Sequence, residues 1–213
     1  MAAPASLDIL DLAALLCSRL CHDVISPVGA IINGLEVLAD EKDEAMKKNA
    51  LDLIRKSAGQ ASARLQFARL AYGAAGSAGA QIDLADAGDV ARKLLQDDRL
   101  TVAWNLPRAL LPKNRVKLVL NLILIAVAAI PRGGTLTVDA VGEGERMGFR
   151  LTAAGANAKL APAVAGLLDG SAADGLDAHA IQPYFTGLLA RAAGLKITLA
   201  GAGQSVVLTA SEA

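Results

Sequence analysis

Residues 7–38 read LDILDLAALLCSRLCHDVISPVGAIINGLEVL. Leu10, Cys17, Val24, Ile31 and Leu38 recur every seven residues, and Ala14, Cys21, Val28 and Leu35 fill the other seam position. This 4-3 spacing keeps apolar side chains on one side of a helix. Leu20, Ile25 and Ile32 widen the stripe beyond a two-stranded seam, toward a bundle. The polar run Asp40-Glu41-Lys42-Asp43-Glu44 breaks the helix, and a second ladder follows at Leu51, Ile54, Ala58, Ala61, Leu65, Ala68 and Tyr72. Two helices joined by a short loop make an antiparallel hairpin. One hairpin covers each helix on one side only, so the pattern predicts a homodimer in which two hairpins close a four-helix bundle.

Beyond the hairpin, residues 73–80 (GAAGSAGA) are small and flexible and read as a linker. The pattern then changes. Helical spacing is expected near 86–97, 113–130, 159–168 and 180–193. Alternating, β-branched segments predict strands at 100–104, 135–141, 148–153, 196–200 and 205–209. The expected fold is an α-helical hairpin over 1–75, forming a dimeric four-helix bundle, followed by an α+β sandwich over 81–213. That second domain should be a mixed sheet with helices on one face.

At 213 residues and 54% apolar, the chain can bury a core. Twenty-one basic residues balance twenty-one acidic ones, which argues against a general nucleic-acid binder. The N-terminus has no basic segment and carries Asp8 and Asp11, so it does not read as a signal peptide. The most apolar run, 116–130, is too short to span a bilayer and holds Lys117 and Asn121, so a buried core helix is expected. No membrane association is expected, and a cytoplasmic location is. Cys17 and Cys21 are the only cysteines and His22 and His179 the only histidines, so no structural zinc site is expected. The cysteines read as small apolar core residues.

His22 falls one step past Cys21, on the face opposite the seam, with Arg19, Ser26 and Gly29 as helical neighbours and Asp23 beside it. Pro27 lies within the helix, where proline costs about 3 kcal/mol. Gly29 clears space near His22, and Leu15, Leu16 and Val37 lie on the outer side, where a partner could cover them. From position alone, a reactive histidine and an ordinary surface histidine both remain open.

The segment Cys21-His22-Asp23-Val24-Ile25-Ser26-Pro27-Val28 resembles the phosphoacceptor box of histidine kinases, His-(Glu/Asp)-x-x-(Thr/Asn/Ser)-Pro-(Leu/Val). The resemblance implies that His22 carries a phosphoryl group on its distal ring nitrogen, with Asp23 as general base and orienter. The second domain resembles the kinase ATP-binding domain in its order of elements but departs at each nucleotide box. Asn121-Leu122-Ile123-Leu124-Ile125-Ala126 has Ile125 where kinases place a magnesium-binding asparagine. Ala153-Ala154-Gly155-Ala156-Asn157 lacks the adenine-reading aspartate, and His179-Ala180-Ile181-Gln182-Pro183-Tyr184-Phe185 replaces a glycine-rich lid. A phosphate cradle needs glycines so that backbone N–H groups can approach the anion.

A hairpin with an intact acceptor box, joined to a nucleotide domain that has lost its boxes, is similar to the ChpT-type histidine phosphotransferases of alphaproteobacteria. This implies a dimer that relays phosphoryl groups from the receiver domain of a hybrid histidine kinase to receiver domains of cell-cycle response regulators. It also implies no cofactor of its own, with Mg²⁺ supplied by the receiver. Between 45 and 73, six basic residues face one acid, Asp52. Antiparallel pairing sets His22 opposite about residue 61. The docking surface expected around His22 is therefore Arg19, Ser26 and Gly29 on the first helix with Lys56, Ser57, Gln60 and Arg64 on the second. A basic rim suits an acidic receiver cleft. His179 has no second ligand or base near it in sequence and reads as a loop or helix-start residue. An ATP-dependent kinase and a non-catalytic scaffold that binds receivers are the alternatives to a relay.

Overall fold

The computed structural model describes residues 7–73, 80–172 and 176–212. Most of the expected linker, 74–79, lies outside the described residues.

Helix α1 (Ile9–Asp40) starts where the Asp8 carboxylate accepts the Leu10 N–H at 2.7 Å. Helix α2 (Glu44–Ala71) starts where Asp43 accepts the N–H groups of Ala45 and Met46. Each aspartate satisfies donors that the first turn leaves without partners. Only Glu41, Lys42 and Asp43 separate the helices, so they pair antiparallel. Pro27 does not end α1; it is buried within it. At Gly34 a Cβ would come within 2.6 Å of Ile54 Cγ1 and 3.3 Å of the Ala50 carbonyl oxygen. The two backbones therefore approach closely there. Seven residues from that contact on each helix, Pro27 and Ser57 are buried too, so one register runs along the hairpin.

This stripe differs from the expected ladder. Pro27 and Gly34 are the buried residues of α1, whereas Cys17, Cys21, Val28 and Leu35 of the ladder are exposed, together with Ile25 and Ile32. Small and ring-constrained residues let the helices close, and the larger apolar side chains are left on an open face. The two free cysteines are therefore not core residues of the single chain.

The rest of the chain runs β1 (Gln81–Asp83), α3 (Leu84–Leu95), β2 (Leu100–Trp104), β3 (Leu110–Pro112), α4 (Lys113–Ala128), β4 (Gly134–Val141), β5 (Gly148–Ala154), α5 (Val164–Asp169), α6 (Ile181–Ala192), β6 (Lys196–Ala202) and β7 (Ser205–Ser211). The main sheet has the order β2-β4-β5-β7-β6; β2 and β4 are parallel and the other pairs antiparallel. Its five strands fall where alternation predicts them. Leu100, Val102, Leu136, Val138, Phe149, Leu151, Leu208 and Ala210 point into the core, while Arg150 points out. A sheet with one packed and one solvated face gives this period of two. Strands β1 and β3 form a separate antiparallel pair of three residues each, which sequence alternation does not reveal.

Helix α4 packs against β5, β7, α2 and α6, and its residues 116–123 are all buried. That accounts for a helix apolar on every side. At about 1.5–3 kcal/mol for each large aliphatic side chain removed from water, it is the chief apolar contribution to this domain. Phe67 and Ala71 of α2 join the same core, so the hairpin is seated on the second domain. Leu12, Leu15 and Leu16 of α1 pack on Ile181 and Tyr184 of α6, and the Leu7 N–H donates to the Tyr184 hydroxyl at 3.2 Å. Leu15 and Leu16 are thus partly covered by α6 of this same chain.

Candidate functional site

α1 carries His22 out of the hairpin contact with its side chain 63% exposed. Its Nδ1 faces Asp23 Oδ1 at 3.8 Å, within charge–charge range but too long for a hydrogen bond. The other carboxylate oxygen, Oδ2, accepts from Arg19 Nε at 3.0 Å. Arg19 is one helical turn before Asp23, the spacing at which opposite charges meet. It fixes the carboxylate beside His22, and its own side chain is 24% exposed.

Arg64 on α2 lies across the hairpin from Leu20, and both line a cleft of about 190 Å³ with Arg19, Asp23 and Tyr72. The expectation that Arg64 sits near His22 rests on counting rise along two helices; the cleft sets Arg64 with Arg19 and Asp23, and His22 does not line it. Ser26 is exposed one turn beyond His22, and a Cβ at Gly29 would meet no atom within 4 Å. Lys56 and Gln60 are exposed on α2. Lys56 stands close enough to Asp97 to help hold that carboxyl below its ordinary range, after the larger effect of backbone N–H groups from Arg99 and Leu100. Ser57 is only 4% exposed. It lies in the α1–α2 contact at the level of Pro27, so it does not belong to a docking surface. Counting along the helix placed it at the right height but not on the right face.

Asn121, one turn before Ile125 on α4, makes internal bonds. Its Nδ2 donates to the Ala71 carbonyl at 3.0 Å and the Lys117 carbonyl at 2.9 Å. Gln182 Nε2 donates back to the Asn121 carbonyl at 2.8 Å and also reaches Thr186 Oγ1. Lys117 Nζ donates to the Tyr72 carbonyl at 3.4 Å, and burial pulls its ammonium pKa down. The last carbonyls of α2, which no helical N–H can reach, are thereby capped by α4. Ile125 and Ala153 are buried apolar residues.

Sequence reasoning did not join two further residues to the site. The first is Tyr72, the C-cap of α2, which lines the cleft with Arg19 and Asp23 and whose ring is tilted 45° to that of Phe185 with centroids 5.9 Å apart. Its hydroxyl is buried without a hydrogen-bond partner, and burial, opposed in part by Arg19, pushes its pKa up to about 12. The second is His179, in the turn before α6, whose ring centroid lies 5.2 Å from that of His22. Only tertiary structure brings them together. Among the described residues, no group of three or more His, Cys, Asp or Glu is placed to hold a metal ion.

A family model described as "Histidine phosphotransferase C-terminal domain" matches residues 84–205. Protein phosphotransferase ChpT of Brucella abortus (strain 2308) is 48% identical over 211 residues, 99% of this chain and 100% of that protein. A solved structure of a bacterial phosphotransferase is 46% identical with a TM-score of 0.90, covering 99% of this chain and 100% of the other. The histidine kinase domain of the blue-light activated kinase of Erythrobacter litoralis has a TM-score of 0.50 at 14% identity, over 87% of this chain and 95% of that one, which is a likeness of fold alone.

Proposed function

The chain belongs to the histidine phosphotransferase family, and on that premise we propose that it relays a phosphoryl group through His22. The donor is the receiver-domain aspartate of a hybrid histidine kinase, and the acceptors are receiver domains of response regulators in a cell-cycle phosphorelay. One observation carries the reading: an exposed His22 whose Nδ1 faces an Arg19-anchored carboxylate, leaving Nε2 on the ring's other side for an incoming phosphoryl group. Asp23 then offsets the positive charge that the ring gains on phosphorylation. Phosphoryl transfer has a loose transition state, so positioning and charge stabilisation supply most of the catalysis. The receiver brings its own Mg²⁺, and the basic side chains of α2 suit its acidic cleft.

Autokinase activity is not part of this proposal. Ile125 and Ala153 offer no polar atom to magnesium or adenine, and Gln182 sits on the Asn121 backbone. A homodimer is part of it. Ile25, Val28, Ile32 and Leu35 on α1, with Met46, Leu51, Leu53 and Leu65 on α2, are large apolar residues left exposed by the single hairpin. By length and composition alone α1 could cross a membrane. Arg19, His22 and Asp23 fall near its middle, where charge in a bilayer is costly. A second hairpin is the better cover, in a cytoplasmic dimer.

The test is phosphoryl transfer from a receiver domain charged with acetyl phosphate and Mg²⁺. The intact chain should gain an acid-labile, alkali-stable label. His22→Ala should gain none, while its affinity for the receiver stays within about threefold, because one exposed ring is a small part of a docking face. Label retained by His22→Ala would place the acceptor elsewhere and end this reading.

A further inference from the structure

The chain has two histidines, and the fold sets them against each other. His22 comes from the middle of α1 and His179 from the segment that enters α6. Their ring centroids are 5.2 Å apart with planes inclined at 78°, an edge-to-face arrangement. His179 is not held by chance. Asp177 Oδ1 accepts the backbone N–H groups of His179 at 2.9 Å and Ala180 at 2.8 Å, and the Asp177 carbonyl accepts from Ile181 at 3.0 Å. The next residues, Ile181 and Tyr184, are buried against Leu12, Leu15 and Leu16 of α1. The same packing that seats α6 on α1 therefore sets the height of His179 beside His22.

We propose that His179 is a positioning residue for phosphoryl transfer at His22: its ring braces the acceptor imidazole and sets a ring N–H beside the transferred phosphoryl group. The proposal rests on His22 being the acceptor. In the transfer step the lone pair on His22 Nε2 attacks phosphorus, the N–P bond forms, and the P–O bond to the receiver aspartate breaks. The aspartate leaves as a carboxylate. The Nδ1 proton stays, so the ring becomes cationic and the phosphoryl group on it carries two negative charges. Asp23 faces the ring's new positive charge. The imidazole of His179, neutral or protonated, has an N–H to offer the phosphoryl oxygens, and its edge-to-face contact limits rotation of the His22 ring. An in-line transfer gains from a nucleophile already aligned. The second domain, whose nucleotide boxes are filled with internal bonds, then contributes to the chemistry through the segment that replaced the lid.

Ionisable groups placed beside the pair are Asp23, held by Arg19, on α1 and Asp177 in the turn before α6. None of the variants below touches them.

The experiment uses the full chain and a receiver domain charged with acetyl phosphate and Mg²⁺, then freed of excess donor. Single-turnover transfer and receiver affinity are measured for the unmodified chain, His179→Ala, His179→Gln and His22→Ala. His179 is exposed, so the melting temperature should not change. His179→Ala should transfer roughly tenfold more slowly with its affinity for the receiver unchanged. His179→Gln, which keeps an N–H donor, should recover much of the rate. A purely structural role would not give rescue by an N–H donor at unchanged affinity and melting temperature. If His179→Ala matches the unmodified chain in rate while His22→Ala stays unlabelled, the role of His179 is overturned and the acceptor stands. If the unmodified chain takes no label, both are overturned.

Discussion

The α1–α2 hairpin and the α4–α6 junction treat polar and apolar groups in opposite ways. On the hairpin, large apolar side chains such as Ile25, Ile32 and Leu35 are exposed, and the polar group His22-Asp23-Arg19 sits among them. At the junction, Asn121, Gln182 and Thr186 are buried and bonded to one another and to the end of α2. An exposed apolar face invites a partner. A buried, satisfied polar network closes a surface to ligands and fixes one packing. The hairpin leaves His22 accessible, and Asn121 and Gln182 of the other domain form a mount for that hairpin.

The largest effect should come from closing the open face to a second copy. Leu35→Glu places a carboxylate in the proposed dimer seam without disturbing the single chain, where Leu35 is already 53% exposed. The dimer dissociation constant should rise at least ~100-fold, or about 2.7 kcal/mol. An unchanged constant in sedimentation equilibrium would show that the seam lies elsewhere.

Next in size is the junction. Asn121→Leu fits an apolar surround but strands the Ala71 carbonyl, while the Gln182 amide keeps the backbone carbonyl of position 121 and Thr186. With one buried carbonyl unpaired, stability to urea should fall by roughly 1–2.5 kcal/mol. A loss under about 0.5 kcal/mol would mean that the network does not hold the hairpin.

A smaller effect, of opposite sign, is expected where the two regions meet. The Tyr72 hydroxyl is buried and unpartnered, so Tyr72→Phe should leave stability unchanged or raise it by up to about 1 kcal/mol. The pH dependence has a definite sign. The folded state holds the Tyr72 pKa at about 12, above its ordinary value of 10, so it favours the neutral phenol. That contribution is complete below pH 10 and is lost as pH rises toward 12. Thermal melts above pH 10 should show a shallower decline for Tyr72→Phe than for the unmodified chain; parallel declines would contradict the assignment.

Much of this contrast was legible in the sequence. Apolar periodicity marks both hairpin helices, because a long amphipathic helix repeats its signal many times. Alternation marks the five sheet strands, since one of their faces is dry. What could not be read is tertiary. Pro27 and Gly34 form the inner stripe of α1 because they are narrow, and a hydropathy ladder gives weight to large side chains. Ser57 is buried for the same reason. Leu15 and Leu16 mark a covered face, but no local pattern says that α6 covers it. Nor does any spacing rule join His179 to His22, or reveal strands of three residues such as β1 and β3.

The central claim proposed for this chain is that His22 accepts a phosphoryl group from a receiver domain and not from ATP. The direct measurement supplies the full chain with two sources of labelled phosphate in separate reactions, a charged receiver domain with Mg²⁺ and γ-labelled ATP with Mg²⁺, and maps any label by peptide. The account predicts label on the His22 peptide from the receiver and none from ATP. Label on His22 from ATP alone, or none from the receiver, would contradict it.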